Sequence, residues 1–100
     1  MAERRKLAAD ELKKALAELP GWDLLDNKLH KQFKFNTFAE AIGWMTAVAI
    51  FADKTDHHPE WSNVYNRVTV DLITHSLFSV SSLDVNLARE MERLYQGNSS

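Results

Sequence analysis

With 100 residues, 14 acids against 12 bases and a net charge of -2, the chain has room for one hydrophobic core and no electrostatic case for direct nucleic-acid binding. The absence of cysteine excludes disulfides, thiolate metal sites and a cysteine nucleophile, and leaves the redox compartment open. The longest apolar run, Ala41 to Ala52, is shorter than the roughly 20 residues a bilayer-spanning helix needs, so no membrane span is expected.

One domain over residues 1–100 is expected. The N-terminus lacks the apolar stretch of a secretory signal, which makes a soluble intracellular protein the default expectation. The one basic cluster, Arg4-Arg5-Lys6, sits at a terminus expected to be mobile, and the tail Gly97-Asn98-Ser99-Ser100 is expected to be disordered.

In chain order, Leu12, Ala15, Leu16 and Leu19 fall on one stripe of an amphipathic helix. Asp10 is its expected N-cap and Pro20-Gly21 its stop. Two strands, Trp22 to Leu25 and Leu29 to Phe35, flank Asp26-Asn27-Lys28. Asp and Asn tolerate left-handed backbone, so a hairpin is expected there. Leu29, Phe33 and Phe35 share its buried face, and His30, Gln32 and Lys34 the other.

Thr37 and Glu40 form a capping box that opens a helix over 37–54. Ala41 to Ala52 is apolar almost all round. One side should pack on the sheet and the other against a second copy of the chain, giving a homo-oligomer, dimer or tetramer, through this helix. The competing reading is burial by the other two helices of the same subunit.

Val64 to Thr74 is strand-like, with Val68, Val70 and Leu72 on one face. A turn at Asn66 is favoured over one continuous strand, and His75 falls at the strand's end. Ser81 should cap the last helix with Asp84 at its third position, and Leu87, Ala88, Met91, Leu94 and Tyr95 form its buried stripe. The expected fold class is α+β, in the order α-β-β-α-β-β-α: a four-stranded antiparallel sheet with three helices packed on one face.

The chemistry concentrates in Asp53 to Trp61, Asp-Lys-Thr-Asp-His-His-Pro-Glu-Trp, which holds two of the four histidines. Pro59 pushes His58 out of helical backbone and cannot continue a helix, so the pair should lie where the helix stops. His57, His58 and His75, with Asp53, Asp56 and Asp84 as orienting acids, allow several readings. A zinc site is disfavoured because adjacent histidines in extended backbone point to opposite sides. A serine or threonine nucleophile is disfavoured by the lack of a Gly-x-Ser-x-Gly elbow. General acid-base catalysis without a metal or cofactor fits best, since it needs two proton-transfer groups beside a small substrate. The plainest alternative is a histidine pair that merely ends a helix. Capping alone already accounts for Asp84, and packing alone for Trp61.

These residues resemble the pterin-4a-carbinolamine dehydratase family. The pattern is Asp53, three residues, His57-His58-Pro59, five residues, Tyr65, nine residues, His75, eight residues, Asp84. The run Pro59 to Val68 and the early Leu19-Pro20-Gly21-Trp22 also match. The resemblance implies a metal-free, cofactor-free dehydratase that converts 4a-hydroxytetrahydrobiopterin to quinonoid dihydropterin and water, recycling the pterin. It implies a catalytic set of His57, His58 and His75, with proton transfer by His57 and His75 while His58 binds the pterin and assists. The pocket would lie between His57-His58-Pro59 and Thr74-His75-Ser76-Leu77, with Asp56 orienting an imidazole, Trp61 near the ring, and Asp53 and Asp84 in support.

The resemblance further implies a cytoplasmic and also nuclear location and a second role as dimerisation cofactor of a homeodomain transcription factor, bound through the central helix. Ser62, Leu77 and Leu83 depart from the aromatic, cysteine and polar residues of the animal members that act in that role.

Overall fold

A computed structural model describes residues 5–96. The order is α1 (Ala9–Ala17), β1 (Asp23–Leu25), β2 (Lys28–Lys34), α2 (Phe38–Thr55), β3 (Glu60–Val64), β4 (Arg67–Leu72), a 3-10 turn (His75–Leu77) and α3 (Ser82–Gln96). The four strands form one antiparallel sheet in the order β1-β2-β4-β3, and the expected α+β arrangement is the one found.

Both hairpins turn through left-handed residues. Asp26 and Asn27 both have positive φ (52° and 64°), the backbone that a two-residue hairpin loop requires. Tyr65 turns between β3 and β4 at φ 51°, beside Asn66, so the favoured split of this region is correct. β3 nevertheless starts at Glu60, four residues before the expected start at Val64. It pairs with β4 from Glu60 opposite Asp71 to Val64 opposite Arg67.

The inner sheet face carries Leu29 and Phe33 from β2 and Val68, Val70 and Leu72 from β4, all buried. Against it pack Ala41, Trp44, Val48 and Ala52 of α2 and Leu87, Ala88 and Met91 of α3. Each large apolar side chain buried this way contributes about 1.5–3 kcal/mol. Trp44, wholly buried, donates its indole N–H to the Met91 carbonyl at 3.1 Å, which ties α2 to α3. Phe33 lies among the rings of Trp22, Trp44 and Tyr95, with centroids 4.5–5.8 Å away. Trp61 is half-buried, opposite Val70, with its ring 6.2 Å from Trp44.

The first helix begins earlier than expected. Its N-cap is Ala8 rather than Asp10, and Glu11 supplies the missing cap by accepting the Ala8 N–H at 2.9 Å while Arg5 clamps the same carboxylate. The segment before it is tied down: Leu7 N–H donates to the Val80 carbonyl, and Lys6 bridges to Ser81. The rest of the basic cluster, Arg4, and the tail from Gly97 lie outside the described residues.

Candidate active site

Helix α2 delivers the histidine pair, but Pro59 is not what stops it. The helix ends at Thr55, and Asp56 then takes the left-handed conformation (φ 52°). The Asp56 N–H donates to the Asp53 carbonyl and the His57 N–H to the Ala52 carbonyl. That pair of bonds is a Schellman closure with aspartate where glycine is usual. It reverses the chain at Asp56, three residues before the proline, and leaves the His57 side chain facing the start of α3.

There the His57 ring meets Asp84. His57 Nε2 lies 2.6 Å from Asp84 Oδ1, with the histidine 8% exposed and the aspartate 0%. A carboxylate only accepts, so Nε2 carries the proton and Nδ1 is left as the nitrogen able to exchange one. Burying a carboxylate costs several kcal/mol unless its lone pairs are met. Asp84 has both oxygens engaged: besides His57 on Oδ1, Oδ2 accepts the Thr74 hydroxyl at 2.8 Å and the Ser81 N–H at 2.9 Å.

The hydroxyl protons are then ordered. Thr74 donates to Asp84, so Ser81 must donate to Thr74 Oγ1 across 2.6 Å, and Ser81 Oγ accepts the Leu83 N–H at 3.1 Å. Ser81 therefore caps the helix as expected, its hydroxyl taking the Leu83 N–H while Asp84 at the third position accepts the Ser81 N–H, and the same carboxylate fixes an imidazole tautomer. Its place in the first turn of α3 adds favourable interaction with the helix dipole.

Thr74 is held by bonds to Ser79 in both directions, which pinch the loop carrying the 3-10 turn, and Phe78 closes that turn at φ 51°. His75 opens the turn. Its ring is 72% exposed, and its Nε2 contacts Glu60 Oε2 at 2.9 Å. Glu60 Oε1 in turn accepts from the Lys28 ammonium at 2.6 Å. That bond holds the Glu60 carboxyl below its ordinary 4.5, with partial desolvation opposing and the charge of His75 assisting, and it raises Lys28. His58 is exposed, its Nε2 3.1 Å from Asp53 Oδ1.

A cleft of about 220 Å³ unites Asp56, His57, His58, Ile73, Thr74, His75 and Ser76. Of the residues expected to bind substrate, Pro59, Trp61 and Leu77 do not line it, and Trp61 is held in the core against Trp44. Asp56 shapes the helix end, while Asp84 and Asp53 are the acids on His57 and His58. Glu60 and Ile73 were not among the expected site residues. Period-two alternation back from Asp71 and across the strand pair to Glu60 was the available signal for one sheet face. A larger hollow of about 410 Å³ lies between α2 and α3, lined by Phe51, Leu83, Arg89 and Arg93 among others, and carries no imidazole. Chemistry rather than size makes the histidine cleft the candidate site.

Fold and site together define a small two-layer α+β domain with an imidazole-lined cleft at the end of its sheet. A family model described as "Pterin 4 alpha carbinolamine dehydratase" matches residues 5–94. The chain belongs to the pterin-4a-carbinolamine dehydratase family. A protein of Jannaschia sp. (strain CCS1) is 51% identical over 100 residues, covering 96% of this chain and 100% of that one. One of Prochlorococcus marinus (strain MIT 9303) is 45% identical over 91 residues, covering 91% and 95%. Both carry the name "Putative pterin-4-alpha-carbinolamine dehydratase".

The crystal structure of a transcriptional coactivator/pterin dehydratase from Brucella melitensis matches with a TM-score of 0.88 at 43% identity, covering 91% of this chain and 99% of that chain. A pterin dehydratase-like protein identified as a RuBisCO assembly factor in the alpha-carboxysome matches with a TM-score of 0.63 at 22% identity, covering 78% and 89%; this is a likeness of fold alone.

Proposed function

We propose that the protein dehydrates 4a-hydroxytetrahydrobiopterin to quinonoid dihydropterin, using the histidine cleft for acid-base catalysis. The observation that carries this reading is the buried Asp84–His57 pair opening on a cleft shared with His58 and His75. In the reaction the N5 proton passes to a base, the N5–C4a double bond forms, the C4a–O bond breaks, and the hydroxyl leaves with a donated proton as water. Two imidazoles suffice, because each can hold or release a proton near neutral pH.

His57 is the base. Asp84 keeps Nδ1 available and offsets the positive charge that the ring acquires on taking the N5 proton. His75, in its protonated form beside the anionic Glu60, donates to the departing hydroxyl. His58, exposed and paired with Asp53, binds the pterin edge. The cleft is small, so it encloses the ring and leaves the substituent in solvent. Replacing His57 or His75 by Ala should each lower kcat about 10²-fold, the scale of losing a general acid or base. Wild-type rates in both variants would overturn the assignment.

A second role rests on α2. Phe38, Ile42 and Ile50 are exposed on it, and Ile42, Thr46, Ala49 and Ile50 form one solvent-facing stripe opposite the packed Trp44 and Val48. We assign this stripe to self-association of the chain. A transcription-factor partner on the same stripe is the interaction-module alternative, and the coactivator description of the Brucella melitensis protein favours it.

A further inference from the structure

Resting on the catalytic reading above, we infer that Glu60, anchored by Lys28, is the positioning residue that sets the tautomer and orientation of His75. His75 begins a single 3-10 turn and is 72% exposed, so backbone and packing leave its ring free to rotate. Glu60 belongs to a more rigid element. As the first residue of β3 it pairs with Asp71 of β4, and its carboxylate spans two other segments, Lys28 at the start of β2 and His75 beyond β4.

The division of labour is legible in the oxygens. Oε1 takes the Lys28 ammonium at 2.6 Å, which fixes the carboxylate, and Oε2 remains for His75 Nε2 at 2.9 Å. A carboxylate oxygen at that distance favours the proton on Nε2, so Nδ1 becomes the nitrogen that exchanges a proton with substrate. Each proton-transfer imidazole thereby has its own acid: Asp84 for His57 from inside the core, and Glu60 for His75 from the sheet face. Lys28 also keeps Glu60 ionised, since its hydrogen bond holds the carboxyl below 4.5.

The neighbourhood is crowded with charge. Asp71, directly across from Glu60, is occupied by His30, 2.8 Å from His30 Nδ1. It therefore serves the fourth histidine and leaves Glu60 to His75.

The test is Glu60→Gln, which keeps size and removes the acceptor-only character. A glutamine amide can donate to Nε2 as well as accept from it, so the His75 tautomer is no longer imposed. Long-range ¹H–¹⁵N correlation spectra, taken at a pH where the ring is neutral, should show His75 protonated at Nε2 in the wild type and as a tautomer mixture in Glu60→Gln. The kcat should fall on the order of tenfold, as when an imidazole loses its outer partner, with KM changed less than about threefold. Glu60→Asp, still acceptor-only, should restore the Nε2–H signal, and Lys28→Met should lower kcat while keeping it.

An unchanged His75 tautomer in Glu60→Gln, or an unchanged kcat alongside an altered tautomer, overturns the inference. His57→Ala separates it from the proposed function, since that variant should lose activity with the His75 spectrum intact. If the wild type itself does not dehydrate the carbinolamine, the catalytic reading fails while the spectra still decide the Glu60–His75 coupling.

Discussion

Replacing Asp84 by Asn isolates what the buried carboxylate does. The side chain is fully buried and accepts from three donors: His57 Nε2 at 2.6 Å, the Thr74 hydroxyl at 2.8 Å and the Ser81 N–H at 2.9 Å. The Ser81 N–H cannot reverse its polarity, so the Asn oxygen must face it and the Asn NH₂ must turn on His57 Nε2. Two N–H groups cannot share that contact, and the His57 proton moves to Nδ1, which removes the base from the cleft. The expected kcat loss is about 10²-fold or more, the scale of a lost general base.

The stability cost is set by the same bonds. A hydrogen bond to a charged group contributes about 1.5–3 kcal/mol, and Asn keeps the two to Thr74 and Ser81 in weakened form. A net loss of about 2 kcal/mol should lower Tm on the order of 10 °C for a domain of this size. Stopped-flow kinetics, thermal melts and the His57 ¹⁵N shifts would check the three consequences together. Wild-type kcat with His57 still protonated at Nε2 would refute the reasoning.

Two further outcomes follow from the geometry. Glu60 has a folded-state pKa below its ordinary 4.5, so its pairing contribution is fully present above about that pH and is lost as pH falls through the depressed value. Carboxyl NMR titration should give a midpoint below 4.5 that returns toward 4.5 in Lys28→Met; an unmoved midpoint would deny the Lys28 contact. Ile50, 61% exposed on α2, should tolerate a charge in the monomer but not in an assembly. Ile50→Glu should shift the mass in sedimentation to that of one chain, and a wild-type chain already monomeric at micromolar concentration would remove the self-association proposal.

Local chemistry made much of this protein readable in advance. The hairpin at Asp26-Asn27, the turn beside Asn66, the Thr37 cap of α2 and the Ser81–Asp84 box all depend on residues within three or four positions of one another. So did the arrival of the histidine pair at a helix end. What the sequence concealed is non-local or locally ambiguous. Asp10 has the right chemistry for a cap, but Glu11, supported by Arg5, moves the helix start back to Ala8. Asp56 offered itself as an imidazole partner, yet its tolerance of left-handed backbone was the property used.

Glu60 shows the limit most clearly. Its two partners lie 32 residues before it and 15 after it, and only the strand register brings the three together. Trp61, beside it, faces the opposite way by the two-residue period of the strand, and so packs on Trp44 rather than on a ligand.

The most direct test is the decay of 4a-hydroxytetrahydrobiopterin itself, generated in place by an aromatic amino-acid hydroxylase and followed by stopped-flow absorbance. The wild-type chain should accelerate its conversion to quinonoid dihydropterin in proportion to protein concentration, and His57→Ala should lose that acceleration by about 10²-fold. Decay at the spontaneous rate in the presence of the folded wild-type protein would contradict the account.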